Sequence, residues 1–327
     1  MKSFKWGVLG AGGIAKAFVD DLTRAEGHEV LAVGSRTLSK SQEFAKDIST
    51  ATAYGNYEDL VNDPNVDAIY VATPHNLHEE HTMLALSAGK PVLCEKPFAI
   101  SAKEAQAMIN CAKENNVALL EAMWTRYLPH IAVAREILAS GVLGKIETVE
   151  ADHGQRLADQ NIARLVDPHL AGGALLDLGI YPISFAHLVL GAPSRITARS
   201  VMTGRGVDAQ TSAIFDYADG AQAIINTTMI AQTPCRAVVS GLLGRLEIDR
   251  TFYNPTAMRV VLYDGTTTEY PNNYLGHGLR EQAIEMARVV ESGALESPLM
   301  PWSETVAVMH VMDQIRDQIG LVYPFEN

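Results

Sequence analysis

At 327 residues the chain exceeds the usual size of a single core, so two domains are expected, with enough burial to need no disulfide or metal staple. A formal net charge of -12 argues against a nucleic-acid partner, which requires a positive patch to displace counterions from phosphates. Cys94, Cys111 and Cys235 are scattered and odd in number, which suits free thiols in a reducing compartment.

Met1-Lys2-Ser3-Phe4-Lys5-Trp6 runs straight into a strand pattern and leaves no room for a signal-peptide core. No apolar run approaches the ~20 residues of a membrane helix. A cytoplasmic protein without a membrane partner is expected.

Over residues 1–122 short apolar strands alternate with helical stretches. Strands are predicted at 6–10, 29–34, 68–72, 92–95 and 118–121, with helices at 14–23, 77–88 and 102–114. Ser101 with Glu104 is a capping box, and Gly89-Lys90-Pro91 ends one helix before the next strand. This spacing predicts an α/β, doubly wound Rossmann domain with a parallel sheet.

After Trp124 the rhythm changes. A helix at 131–138 and a strand at 145–152 precede period-two runs at 196–202, 212–217, 221–228, 237–240, 246–249 and 258–263. Asp219-Gly220 is a two-residue hairpin signal. Helices return at 279–291 and 303–319, the last stopped by Gly320, with Met309 and Met312 facing the core. Residues 123–327 therefore read as an α+β domain on a mainly antiparallel open sheet, with the last helix free to pack back on the first domain.

Gly10-Ala11-Gly12-Gly13-Ile14-Ala15 follows the first strand and opens a helix, matching G-x-G-x-x-G/A with Ala at the helix-packing position. Gly10 allows the tight turn, and Gly12 lets backbone approach a pyrophosphate. The helix start, including Gly13 and Ile14, offers unpaired N–H groups to the anion. The second strand ends at Ser35-Arg36-Thr37, with Lys40 beyond. An NAD site usually carries Asp or Glu there for the ribose hydroxyl, whereas a guanidinium pairs with a phosphate. NADP(H) is the expected cofactor, ahead of NAD(H).

Two further segments carry candidate chemistry. Val92-Leu93-Cys94-Glu95-Lys96-Pro97 puts a carboxylate and an ammonium at the C-terminal edge of a parallel strand, where ligands of open α/β sheets bind. Preceding a proline biases Lys96 away from helical geometry. Gly172-Gly173-Ala174-Leu175-Leu176-Asp177-Leu178-Gly179-Ile180-Tyr181 puts Asp177 and Tyr181 on one helical face. Pro182 should kink that helix or distort the neighbouring turn, and Asp177 needs a partner if buried.

Together, Glu95-Lys96-Pro97 and the Gly-Gly…Asp177…Tyr181 helix resemble the glucose-fructose oxidoreductase/inositol dehydrogenase (Gfo/Idh/MocA) family, essentially end to end. Residues 121–127 and the ending from Glu296 to Glu326 look closest to its dihydrodiol dehydrogenase and NADP-dependent D-xylose dehydrogenase branch. Many members carry His where this chain has Tyr181. Glucose-fructose oxidoreductase and dihydrodiol dehydrogenase carry Tyr, so the departure is one of subgroup. The resemblance implies that Lys96 and Tyr181 are the catalytic pair, that Asp177 binds or orients substrate, and that Glu95 holds the nicotinamide ribose. It also implies that Thr73, Asn76 and His78 lie along the cofactor, that Trp124 and Arg126 line the nicotinamide pocket, and that the chain forms a homodimer through the open sheet face.

Hydride transfer needs one proton donor or acceptor on the reacting oxygen. A cationic Lys96 would stabilise alkoxide charge and lower the pKa of a neighbouring Tyr181 from its reference of ~10. Lys96 acting alone is the competing assignment. His75, His78 and His81 recur every three residues but lack a third ligand of obvious spacing, so no metal is expected, and surface roles suit His75 and His81. Arg156, Asp159, Asn161, Arg164 and His169 are equally readable as substrate contacts or as a solvated loop.

The expected activity is reversible NADP(H)-dependent oxidoreduction at a CH–OH or CH–CH group of a sugar, polyol or cyclic vicinal diol. Two alternatives remain: a non-catalytic dinucleotide-binding regulator, and an isomerase or glycosidase that uses the cofactor transiently.

Overall fold

The computed structural model describes residues 3–48, 51–160 and 162–326. By contact the chain forms two compact units, one of residues 1–127 with 276–306 and the other of residues 128–275 with 307–327.

The first unit begins as β1 (Phe4–Leu9), α1 (Gly13–Leu22), β2 (His28–Gly34), α2 (Leu38–Ala45), β3 (Thr52–Tyr54) and α3 (Tyr57–Val61). It continues as β4 (Ala68–Val71), α4 (His78–Ser87), β5 (Val92–Glu95), α5 (Ala102–Asn115) and β6 (Leu119–Ala122). The strands lie parallel in the order β3-β2-β1-β4-β5-β6. That order reverses between β1 and β4, the switch point at which open α/β sheets bind ligands.

Every residue of β4, β5 and β6 is buried, which is why these strands read as apolar runs interrupted only by Glu95 and Glu121. Five of the six strands are visible in the sequence. The sixth, β3, is three residues on a partly exposed edge, too short for periodicity to register. Ser101 caps α5 as expected: its hydroxyl accepts from Glu104 N–H at 3.2 Å, and the Glu104 carboxylate accepts from Ile100 N–H at 3.2 Å.

Residues 276–306 supply the same unit with α9 (Arg280–Ser292) and the first turn of α10 (Trp302–Ile319). Trp302 Nε1 donates to the Leu119 carbonyl at 2.8 Å. Asp21, buried on α1, accepts from the N–H groups of His277 (2.9 Å), Gly278 (2.9 Å) and Arg280 (3.0 Å), and pairs with the Arg280 guanidinium at 3.2 Å. Burial opposes its charge, but the backbone N–H groups and the guanidinium outweigh burial and hold the carboxyl below the usual aspartate range.

The second unit contains α6 (Pro129–Ala139), β7 (Ile146–Gly154), α7 (Ala163–Val166) and α8 (Ile180–Leu190). Its remaining strands are β8 (Arg195–Met202), β9 (Asp208–Asp216), β10 (Gln222–Thr228), β11 (Ala237–Gly241), β12 (Gly244–Ile248), β13 (Met258–Leu262) and β14 (Thr267–Tyr270). They form one sheet in the order β14-β13-β12-β11-β7-β10-β9-β8, antiparallel except where β7 meets β10.

β8 and β10 alternate exposed and buried residues, so one sheet face is covered and the other is open. On the covered side α8 packs against β7 and β10. Gly220, at φ +93°, makes the predicted turn between β9 and β10. Met309 and Met312 are fully buried, as expected. The polar edge strand β14 escapes the sequence pattern because its residues are mostly exposed.

One expectation is corrected. Pro168–Leu190 spans 23 residues and contains an 18-residue window with a mean hydropathy of 1.5, long and apolar enough to cross a membrane. Within the protein 83% of that window is buried, so its hydropathy is that of the second unit's central core element.

The Asp21 clamp yields a stability prediction. Asp21→Asn keeps the shape but removes the charge, and should cost about 2 kcal/mol at neutral pH. Because the folded pKa is depressed, this contribution is present above the unfolded value and disappears as pH falls through the folded one. Urea unfolding of parent and variant should differ at pH 7 and converge in strong acid; equal stability at pH 7 would refute the clamp.

Candidate active site

Gly10 ends β1 with φ +109°, and a Cβ there would lie 2.7 Å from the Ala72 carbonyl oxygen, so only glycine fits without strain. Gly12 is the N-cap of α1 but has no side chain to cap it, and the first turn carries no acid. A Cβ at Gly12 or Gly13 would meet nothing within 4 Å. The protein's own packing therefore does not demand these two glycines. Bare N–H groups facing open space at a helix start fit the pyrophosphate of a dinucleotide. Ile14 is partly exposed beside them, and Ala15 is fully buried in the helix-packing position.

At the end of β2, Ser35 is buried while Arg36 and Lys40 are exposed. Arg36 is close enough to Tyr57 and His81 to act electrostatically on both. After β4, the Thr73 carbonyl lies 2.9 Å from His78 Nε2, and its hydroxyl meets His81 Nδ1 (3.0 Å). Asn76 Oδ1 is buried and has no hydrogen-bond partner among the described residues, an acceptor left over for a ligand hydroxyl or amide.

His78 is wholly buried, with Nδ1 2.8 Å from the Pro97 carbonyl, and burial lowers its pKa to about 4. The ring thus ties the loop after β4 to the turn after β5. His75 and His81 are also buried, at 7% and 6% exposure, which corrects the expected surface roles. Their burial follows from packing: His75 lies edge-on to His78, and His81 edge-on to Tyr57.

β5 delivers Glu95 and Lys96 to the C-terminal edge of the sheet, followed by a cis Lys96–Pro97 peptide. Glu95 is 4% exposed; the Tyr70 hydroxyl donates to one carboxylate oxygen, and Lys96 N–H donates to the other at 3.1 Å. Lys96 itself stays partly exposed. Next to it, β6 carries Glu121, whose pKa burial raises to about 7, while the Thr305 hydroxyl donates to it at 2.8 Å. Trp124 and Arg126 are both buried; Trp124 packs on His277, and Arg126 pairs with Glu304 at 2.7 Å.

In the second unit the helix expected to carry Asp177 and Tyr181 is π-helical over Leu175–Gly179 before α8 begins. The cause lies in Pro182, which has no N–H for the Leu178 carbonyl four residues earlier. Asp177 is 5% exposed and has the partner its burial demands: Arg164 reaches it at 2.7 Å. Tyr181, 7% exposed, packs against both His153 and Tyr253, at ring distances of 5.2 Å and 4.7 Å.

Fully buried Asp208 accepts from Leu175 N–H and from the Thr211 hydroxyl, both at 2.8 Å, and so caps the turn; burial raises its pKa to about 6. Gly173, at φ +122°, permits this approach, since a Cβ there would collide with the Asp208 carboxylate.

Residues 4–123 match the family "Oxidoreductase family, NAD-binding Rossmann fold", and residues 131–247 match the GFO/IDH/MocA C-terminal domain. A trans-1,2-dihydrobenzene-1,2-diol dehydrogenase of Xenopus tropicalis is 34% identical, over 98% of this chain and 99% of its own. The chain belongs to the Gfo/Idh/MocA oxidoreductase family. A D-xylose 1-dehydrogenase (NADP(+)) of Hypocrea jecorina is 36% identical, over 98% of this chain and 93% of its own. Among solved structures, an aldose-aldose oxidoreductase from Caulobacter crescentus superposes with a TM-score of 0.87 at 25% identity, covering 97% of each chain. A 3-ketoreductase from Actinomadura kijaniata, in complex with NADP and TDP-benzene, gives 0.86 at 27% identity, covering 97% and 98%.

Within this Gfo/Idh/MocA chain, the polar stretch before Asp177 divides. Arg156 pairs with Asp159, Arg164 pairs with Asp177, His169 is exposed, and Asn161 lies outside the described residues. The sequence pattern leaves Asp208, His153 and Tyr253 unmarked, because their roles arise from contacts across the fold. Among the described residues no group of three or more His, Cys, Asp or Glu is placed to hold a metal ion. A cavity of about 430 Å³ in the second unit, between α6 and the β13–β14 edge, is lined by none of the predicted site residues.

The uncapped α1 start gives a second prediction. Gly12→Asp adds an N-cap carboxylate in open space, so the helix should be as stable as in the parent or more so. The same charge would repel a pyrophosphate, and dinucleotide affinity should fall by roughly tenfold or more. Thermal unfolding and fluorescence titration with NADPH separate the two effects; unchanged affinity would place the anion elsewhere.

Proposed function

We propose that this oxidoreductase uses NADP(H) to oxidise or reduce a carbinol or carbonyl carbon of a sugar, polyol or cyclic vicinal diol. The observation that carries the reading is near-full-length similarity both to a dihydrodiol dehydrogenase and to an NADP-dependent xylose dehydrogenase. Residues 1–122 would bind the dinucleotide and residues 123–327 the substrate.

The fit to the cofactor rests on the uncapped α1 start, the free Asn76 acceptor and the buried Glu95 carboxylate. Gly10, Gly12, Gly13 and Ile14 would receive the pyrophosphate, with Ser35, Arg36 and Lys40 around a 2′-phosphate. Thr73, Asn76, Glu95, Trp124 and Arg126 would border the nicotinamide end. His78 acts as a positioning residue, because its buried ring is set between two backbone carbonyls, one of which its single N–H can bond.

When bound, the nicotinamide supplies or accepts the hydride. Lys96 holds positive charge beside the reacting oxygen and stabilises its developing anion. Tyr181 gives or takes the proton on that oxygen. Asp177, paired with Arg164, accepts from substrate hydroxyls rather than acting as a base.

Lys96→Met and Tyr181→Phe should each lower kcat by roughly a hundredfold or more while binding NADPH nearly as well as the parent. Near-normal turnover in either variant removes that residue from the chemistry. Arg36→Ala should weaken NADP(H) relative to NAD(H) by about ten- to a hundredfold; an unchanged ratio would shift the 2′-phosphate to another group. Steady NADPH formation from NADP⁺ and an aldose or cyclic diol separates a dehydrogenase from a transient-cofactor isomerase and from a regulator that only binds.

We further propose a homodimer through the open sheet face, in the cytoplasm, without membrane or nucleic-acid partners. Support comes from Ile214 and Ile224, which face each other across β9 and β10 with 44% and 45% exposure.

A further inference from the structure

The turn that carries Tyr181 is held by a chain of polar contacts that the proposed chemistry does not use. Pro182 cannot donate to the Leu178 carbonyl, and His153 Nδ1 lies 3.2 Å from that oxygen. His153 is 1% exposed. A carbonyl oxygen only accepts, so Nδ1 carries the proton, and in a neutral imidazole Nε2 is then an acceptor. Gln155 Nε2 stands 2.8 Å from His153 Nε2 and 3.0 Å from the Tyr253 hydroxyl. The two amide protons of Gln155 satisfy both acceptors.

These three contacts run in one direction from the Leu178 carbonyl to Tyr253, whose oxygen accepts from Gln155. The rings follow the same order. His153 stacks on Tyr253 at 4.1 Å with an interplanar angle of 28°, and Tyr253 lies 4.7 Å from Tyr181.

We infer that His153 and Gln155 are positioning residues, which fix the π turn beneath Tyr181 and orient Tyr253 so that Tyr181 meets the reacting oxygen in one geometry. The inference rests on the reading of Tyr181 as the proton carrier. His153 acts from below, through the Leu178 carbonyl to which Pro182 cannot donate; Gln155 acts from the side, through the phenol that packs against Tyr181. Neither touches the reacting atoms. Losing either loosens the placement of the phenol without removing it, and placement errors of this kind are expensive in rate.

The test uses the full-length enzyme with the best substrate from the aldose and diol screen, in parent and Tyr181→Phe backgrounds. His153→Phe keeps a ring against Tyr253 and Tyr181 but removes both nitrogen contacts. Gln155→Leu sits at a half-buried position and leaves the core intact, so it answers the question even if His153→Phe fails to fold. Each should lower kcat about tenfold or more, with KM and NADPH affinity near parental values. The double variant should lose little beyond the larger single loss, because both cut one chain.

In the Tyr181→Phe background both substitutions should add nothing to kcat. A parental kcat for Gln155→Leu, strictly multiplicative losses, or an equal loss in the Tyr181→Phe background would each overturn the inference. If Tyr181→Phe alone turns over normally, it is the proton-carrier reading that fails, and the two failures are told apart by that control.

Discussion

Burying an acid, a proline and a phenol within the most apolar stretch of the chain obliges the surrounding residues to supply polar partners. Each unpaired polar group in such a place costs on the order of 1–3 kcal/mol, so few can be left over. The second unit answers group by group: Arg164 for Asp177, Asp208 for the Leu175 N–H, His153 for the Leu178 carbonyl, and the Tyr323 hydroxyl for the Gly172 carbonyl. These partners come from α7, β9, β7 and the C-terminal tail. The sheet and its flanking loops are thus organised around one helix, and Tyr181 inherits a defined position from that demand.

The first unit solves a different problem. There the useful groups are backbone N–H groups at a helix start, and the fold keeps them available by withholding a capping side chain. Around them the loops are tied by buried side chains that touch main chain. His78 bridges Thr73 and Pro97, and Glu95 is held by Tyr70 and the Lys96 N–H. Rigidity in the support and bareness at the mouth go together, as binding with little reorganisation requires.

What the sequence reveals is what neighbours in the chain decide. The Gly10-Ala11-Gly12 turn, the Ser101–Glu104 cap and the Asp219-Gly220 hairpin are all local, and each appears where its residues predict. The buried runs of β4 to β6 identify the parallel sheet without help from other segments. The π turn was half legible: Pro182 announces a distortion, but which neighbouring turn absorbs it depends on tertiary contacts. Partners distant in sequence left no trace, among them Arg164 for Asp177 and the burial of His75 and His81. Hydropathy alone could not distinguish a membrane span from the core stretch Pro168–Leu190, because both are long and apolar.

The clamp at Asp21 bears on how the polypeptide is made. Its partners, His277, Gly278 and Arg280, are translated some 256 to 259 positions later. During synthesis the nascent N-terminal lobe must wait, with a buried-to-be aspartate still facing water and the edge of β6 uncovered, until residues 277–302 have been added. Domains that can close as they emerge are finished early. This one is not sealed until residues 277–302 have been added, so the intervening stretch 128–275 is made before the N-terminal unit can be completed.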